Sequence, residues 1–172
     1  HFIAVSRRAK AIYQEQFGIP ETRIDIVQHL GVDLAVFHPN EAAAQDDELT
    51  IGYCGRFDAN KGVLDLIEAV RRINVRLSTP VQLRLLGSGS LKQSLLDREE
   101  SWLRVLEPVP HAQVAPFLQS LDVFAMPSHV TPDHEEHDGH ALMEALACGV
   151  SCVGADSGII PELLDNNAGL VF

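Results

Sequence analysis

Short apolar runs alternate with amphipathic helical patterns along this chain, and that alternation most constrains its fold. Strand-like runs fall at Phe2–Val5, Ile24–Val27, Thr50–Cys54, Val81–Leu86, Leu103–Leu106, Val123–Met126, Cys152–Gly154 and Leu170–Phe172. Helical patterns lie between them: one capped by Ser6 and ending at Gly18, then Val63–Leu77, Leu91–Arg98, Val114–Leu121, Ala141–Cys148 and Ile160–Leu164. A strand that returns parallel to its neighbour needs a crossover helix, so this order predicts an α/β fold, a parallel sheet with helices on both faces. The runs are nearly continuous in apolar residues, as strands buried on both faces require. No internal repeat or low-complexity segment interrupts the pattern.

At 172 residues the chain is long enough to bury one good-sized core. Its formal charge of −11 argues against nucleic acid as a partner, because phosphate backbones demand a clustered basic surface. Broad adhesion to anionic membranes is disfavoured too, although Arg7, Arg8 and Lys10 form one local basic patch. No apolar run approaches the roughly 20 residues of a spanning helix. Cys54, Cys148 and Cys152 sit in apolar segments without metal-type spacing, and read as buried free thiols in a reducing compartment. The chain opens at His1 with neither methionine nor signal peptide, so an upstream segment is expected.

In such sheets ligands bind beyond the carboxyl ends of the strands, and the chemistry-bearing residues gather there. Gly55-Arg56 follows Thr50–Cys54, Lys61-Gly62 opens the next helix, and Gly87-Ser88-Gly89 follows Val81–Leu86. Glu136 falls on a loop after Val123–Met126, broken by Pro132 and Gly139. Glu144 falls about one turn inside the next helix, leaning back toward the same pocket. The N–H groups of Gly139, His140, Ala141 and Leu142 at that helix start make an anion site. Arg56 and Lys61 supply positive charge, a guanidinium able to bind phosphate bidentately and a mobile ammonium. A ligand with hydroxyls at both ends and phosphate in the middle fits, and a nucleotide-sugar is one.

Blander readings stand beside these. Arg56 and Lys61 also read as a solvated loop arginine and a helix-start lysine, although the macrodipole disfavours a cation there. Gly87-Ser88-Gly89 reads equally as a tight strand-to-helix turn, and Glu107-Pro108-Val109-Pro110-His111 as a stiffened surface turn. The dense His134-Glu135-Glu136-His137-Asp138-Gly139-His140 segment suggests a metal site, and with it a metal-binding hydrolase. Its histidines stand three apart where the zinc-protease helix needs four. A non-catalytic nucleotide- or partner-binding module, its histidines titrating near neutrality, is the remaining alternative.

The Glu136-to-Glu144 stretch resembles the E-x7-E motif of retaining GT-B glycosyltransferases, especially family four. Further matches follow the family's order: Val5-Ser6 with Lys10, Phe17-Gly18-Ile19-Pro20, Gly31-Val32-Asp33 with Phe37 and Pro39, and Gly55-Arg56-Phe57 with Lys61-Gly62. Gly87-Ser88-Gly89, Asp122-Val123-Phe124 with Pro127-Ser128, and Gly158-Ile159-Ile160-Pro161-Glu162-Leu163 continue them. The resemblance implies a Rossmann-like, doubly wound C-terminal domain of a GT-B fold. It implies transfer of a sugar from a UDP-, GDP- or ADP-sugar to an acceptor hydroxyl, without metal or other cofactor. Arg56 and Lys61 would hold the diphosphate, Glu136 the sugar hydroxyls and Glu144 the ribose diol. Gly55, Gly87 and backbone groups near Val109 and Pro110 would line the donor.

By the same resemblance, residues 1–44 are the end of an acceptor domain and its linker, with Asn40–Asp47 as the polar connection. Residues 45–172 are the donor domain, short of its usual C-terminal tail. The fragment is then expected to lack turnover without its missing N-terminal acceptor-binding half. A cytoplasmic protein, peripheral at most to the inner face of a membrane, is implied. Two departures stand out: Glu136-His137-Asp138-Gly139 where the family often has Glu-Gly-Phe-Gly, and His29-Leu30-Gly31 where it often has Pro-Asn-Gly.

Overall fold

The computed structural model describes residues 1–27, 31–40 and 48–172. The predicted 44/45 boundary, most of the Asn40–Asp47 connection and the His29-Leu30 pair lie outside the described residues.

Two short strands, β1 (Phe2–Ala4) and β2 (Ile24–Ile26), pair in parallel, joined by helix α1 (Arg7–Phe17). Ser6 begins α1 by accepting from the Ala9 N–H at 3.0 Å, and Gly18 ends it in the left-handed region, as the sequence predicts. A carboxylate completes the cap from far away: Glu162 accepts from the N–H groups of Arg7 and Arg8, each at 3.0 Å.

The larger unit is a six-stranded parallel sheet. Its strands are β3 (Thr50–Arg56), β4 (Gln82–Ser88), β5 (Leu103–Leu106), β6 (Val123–Met126), β7 (Ser151–Gly154) and β8 (Gly169–Val171), in the spatial order β5-β4-β3-β6-β7-β8. The chain builds outward from β3 to β5, then returns to lay β6 beside β3. The switch point, where such folds open a ligand crevice, therefore lies between β3 and β6. Helices α2 (Val63–Asn74), α3 (Lys92–Leu96), α4 (Val114–Leu118), α5 (His140–Ala147) and α6 (Ile160–Leu163) make the crossovers.

Successive strand residues face opposite sides, and two cores result. Leu83 and Leu85 of β4 pack with Val63, Ile67 and Val70 of α2; Leu86, Phe124 and Met126 pack with Leu118, Leu142 and Ile160. Each such fully buried side chain is worth roughly 1.5–3 kcal/mol relative to exposure.

Element ends depart from the sequence reading for identifiable reasons. α2 stops at Asn74 rather than Leu77, because the Asn74 amide bonds both the N–H and the carbonyl of Val81, turning the chain into β4. β3 and β4 run two residues past their predicted ends, pairing Gly55 with Gly87 and Arg56 with Ser88. Arg56 thus closes a strand instead of opening a loop. Gly87 is required there, since a Cβ on it would strike the Gly55 carbonyl.

Candidate active site

A cleft of about 410 Å³ opens at the carboxyl edge of β3 and β6. Of the predicted site residues, Gly55, Arg56, Lys61, Glu136, His140, Ala141 and Glu144 line it. Gly87, Val109, Pro110, Gly139 and Leu142 do not. Leu142 is core, and Val109 and Pro110 lead into His111, which does reach the cleft.

Glu136 is 4% exposed and held by several groups. Its Oε2 accepts from the Lys61 ammonium at 2.7 Å and from the Ser128 hydroxyl at 2.5 Å. Its backbone N–H donates to Ser157 Oγ at 3.1 Å, and its carbonyl accepts from the Ile159 N–H at 2.9 Å. The loop is thereby stitched to the segment that leads into α6. Lys61, expected as a phosphate ligand, is also a buried partner of the acid, because two such charges cannot leave water separately.

Lys61 and Gly62 connect a short 3-10 turn to α2, and Gly62 adopts φ 68°. Arg56 stands at the cleft rim, its side chain largely exposed and its Nη1 3.2 Å from Asp58 Oδ2. Asp58 in turn accepts from the Ser90 N–H at 3.1 Å and hydroxyl at 2.9 Å. The Ser90 backbone bond, followed by its hydroxyl, holds the Asp58 carboxyl below its ordinary range. The Gly87-Ser88-Gly89 turn therefore serves the cleft indirectly, by presenting Ser90 to the acid that holds Arg56.

Under the cleft, the buried Tyr53 hydroxyl donates to the Arg56 carbonyl at 2.8 Å, and burial, with the Glu136 charge, pushes its phenol up. The Cys54 thiol is pushed up to about 12, first by burial and then by the nearby Glu144 charge. All three cysteines are free thiols.

The start of α5 corrects one expectation. The His140 N–H is not an open anion donor: Asp138 Oδ1 accepts from it at 3.1 Å and also contacts the His140 ring. An aspartate two residues ahead of a helical N–H closes a local turn of this kind. Glu144 sits where predicted, 7% exposed on α5, with Oε1 2.7 Å from His111 Nε2. The reading of Glu107–His111 as a turn missed this bond; its only trace was a histidine opening the helix-bound segment.

His134 Nε2 is buried without a hydrogen-bond partner among the described residues, and burial, then the Lys61 charge, lowers its pKa. Among the described residues no three of His, Cys, Asp and Glu converge as metal ligands. The basic patch is also neutralised: Arg7 lies 4.0 Å from Glu162 and 3.9 Å from Asp165, Arg8 pairs with Glu135 at 2.9 Å and Lys10 with Glu21 at 3.0 Å. Among the described residues no helix is long and apolar enough to cross a membrane.

Strand order and cleft position are those of the C-terminal domain of a GT-B glycosyltransferase. Residues 37–172 match the family described as glycosyl transferases group 1, and the chain belongs to that family. It is 31% identical over 164 residues to the D-inositol 3-phosphate glycosyltransferase of Segniliparus rotundus, covering 86% of this chain and 35% of that protein. Over 156 residues it is 27% identical to the amylovoran biosynthesis glycosyltransferase AmsK of Erwinia amylovora, covering 87% and 38%. The chain thus spans little more than a third of these relatives. In fold it is similar to the sucrose-phosphate synthase of Thermosynechococcus elongatus (TM-score 0.74, 23% identity, 98% of this chain and 44% of that one). It is likewise similar to Anabaena Alr3699/HepE, solved with UDP and glucose (TM-score 0.75, 19% identity, 99% and 48%).

Proposed function

We propose that this chain is the nucleotide-sugar-binding domain of a retaining, metal-independent glycosyltransferase. Residues 1–44 are the end of its acceptor-side domain and linker, and residues 45–172 its donor domain. The observation that carries the reading is the convergence of Glu136, Glu144, Arg56 and Lys61 on one cleft at the strand switch point.

The transition state of glycosyl transfer carries positive charge on the sugar and growing negative charge on the departing diphosphate. Arg56 meets that diphosphate at the cleft rim. Lys61 has three N–H donors, so it can keep Glu136 and still donate to a phosphate oxygen. With Oε2 of Glu136 fixed by Lys61 and Ser128, its Oε1, which takes a long bond from the Asp138 N–H at 3.4 Å, keeps a further lone pair to accept a sugar hydroxyl. Glu144 accepts from the ribose diol. Because cationic side chains stabilise the leaving group, no divalent ion is required, and turnover needs the acceptor-side domain.

The full-length enzyme tests this reading. Its product should keep the anomeric configuration of the donor by NMR, and a chelator should leave the rate unchanged. An inverted product or an absolute divalent-ion requirement would overturn it.

A further inference from the structure

We infer that His111 is a positioning residue for Glu144 and makes the donor site selective for ribonucleotides over 2′-deoxyribonucleotides, an inference that rests on Glu144 being the ribose carboxylate. Glu144 is 7% exposed, beside the thiols of Cys54 and Cys148, which offer little stabilisation to a negative charge. Among the described residues the hydrogen bond to its carboxylate comes from His111, whose Nε2 lies 2.7 Å from Oε1. That bond requires the ring proton on Nε2, so the imidazole donates.

The ring, although its side chain is 71% exposed, is braced on one face. His111 opens the 3-10 turn before α4, and its imidazole packs on Phe37, 5.1 Å between centroids at 54°. Phe37 is 1% exposed and belongs to the core under α4 and α5. Phe37 thus supports one face of the imidazole, and the imidazole ties the carboxylate. A carboxylate with one oxygen tied and its plane set can reward a correctly placed hydroxyl and penalise its absence. A free one would turn toward water and discriminate poorly.

The test titrates the 172-residue chain by calorimetry with the nucleoside diphosphate it binds best and with the 2′-deoxy counterpart. The wild-type chain should prefer the ribonucleotide by about tenfold or more. His111→Ala should shrink that preference to about twofold, chiefly by weakening the ribonucleotide. His111→Gln, which can still donate from its amide, should retain most of it, and His111→Met, of similar length, should not. Retention of the full preference in His111→Ala and His111→Met, or a parallel loss for both ligands, would overturn the assignment. Should His111→Ala fail to fold, the Gln and Met pair decides by the same ratio. Equal wild-type binding of both nucleotides would overturn the ribose role of Glu144 and this inference with it. No binding of any nucleoside diphosphate would instead overturn the donor-domain reading itself.

Discussion

The Lys61 ammonium donates to Glu136 Oε2 across 2.7 Å, with side chains 13% and 5% exposed. Neither charge is well placed to recover full hydration if the other is removed. Breaking such a pair on one side costs far more than replacing both partners with apolar groups.

Lys61→Met should therefore destabilise the fold by about 3 kcal/mol, leaving the buried Glu136 carboxylate with neutral donors, the Ser128 hydroxyl and the Asp138 N–H, in place of a cation. The double variant Lys61→Met with Glu136→Leu should recover most of that loss. Urea denaturation of the single and double variants measures both. Equal destabilisation by each would mean that the pair is not energetically coupled.

The two glutamates should fail differently. Glu144→Gln should weaken a nucleoside diphosphate and the intact nucleotide-sugar alike, by roughly 1–3 kcal/mol. Glu136→Gln should spare the nucleoside diphosphate and weaken the intact donor. Parallel titrations separate the cases, and equal loss of nucleoside diphosphate binding in both variants would contradict the division of roles.

Gly62 ties the cation to the fold. It holds φ 68°, and a Cβ there would strike the Pro127 carbonyl, next to Ser128. Gly62→Ala should cost at least about 2 kcal/mol, adding left-handed strain to that collision. Thermal unfolding should register it as a fall of roughly 4–8 °C. An unchanged midpoint would show that the Pro127 loop yields freely.

Burial lowers the pKa of His134 in the folded chain, so the unfolded chain binds the proton more readily. Its contribution to stability is therefore complete above the unfolded value of about 6.5 and is lost as pH falls through the lower folded value. Denaturation profiles between neutral and mildly acidic pH should fall more steeply for the wild type than for His134→Gln. Superimposable profiles would contradict the shift.

Much of this arrangement was legible in the sequence because it is local. The apolar runs mark every described strand, Ser6 and Gly18 mark both ends of α1, and the seven-residue spacing puts Glu144 a turn into α5, on the cleft that Glu136 also lines. What escaped was set by packing between distant segments. Lys61 finds Glu136 across 75 residues, His111 finds Glu144 across 33, and Arg8 finds Glu135 across 127. No periodicity encodes such pairs. The Asp138 bond to the His140 N–H spans two residues and was within reach of a sequence reading. The same helix start reads equally as open to a ligand, so the sequence alone does not choose between the two.

Calorimetric titration of the 172-residue chain with UDP, GDP and ADP tests the central claim, that this cleft holds a nucleotide donor. One of the three should bind with one-to-one stoichiometry. Replacing the rim cation by Arg56→Gln should weaken that complex by roughly 1.5–3 kcal/mol, the worth of a charge-assisted hydrogen bond to phosphate. A folded chain that binds none of the three, or whose binding is indifferent to Arg56, would contradict it.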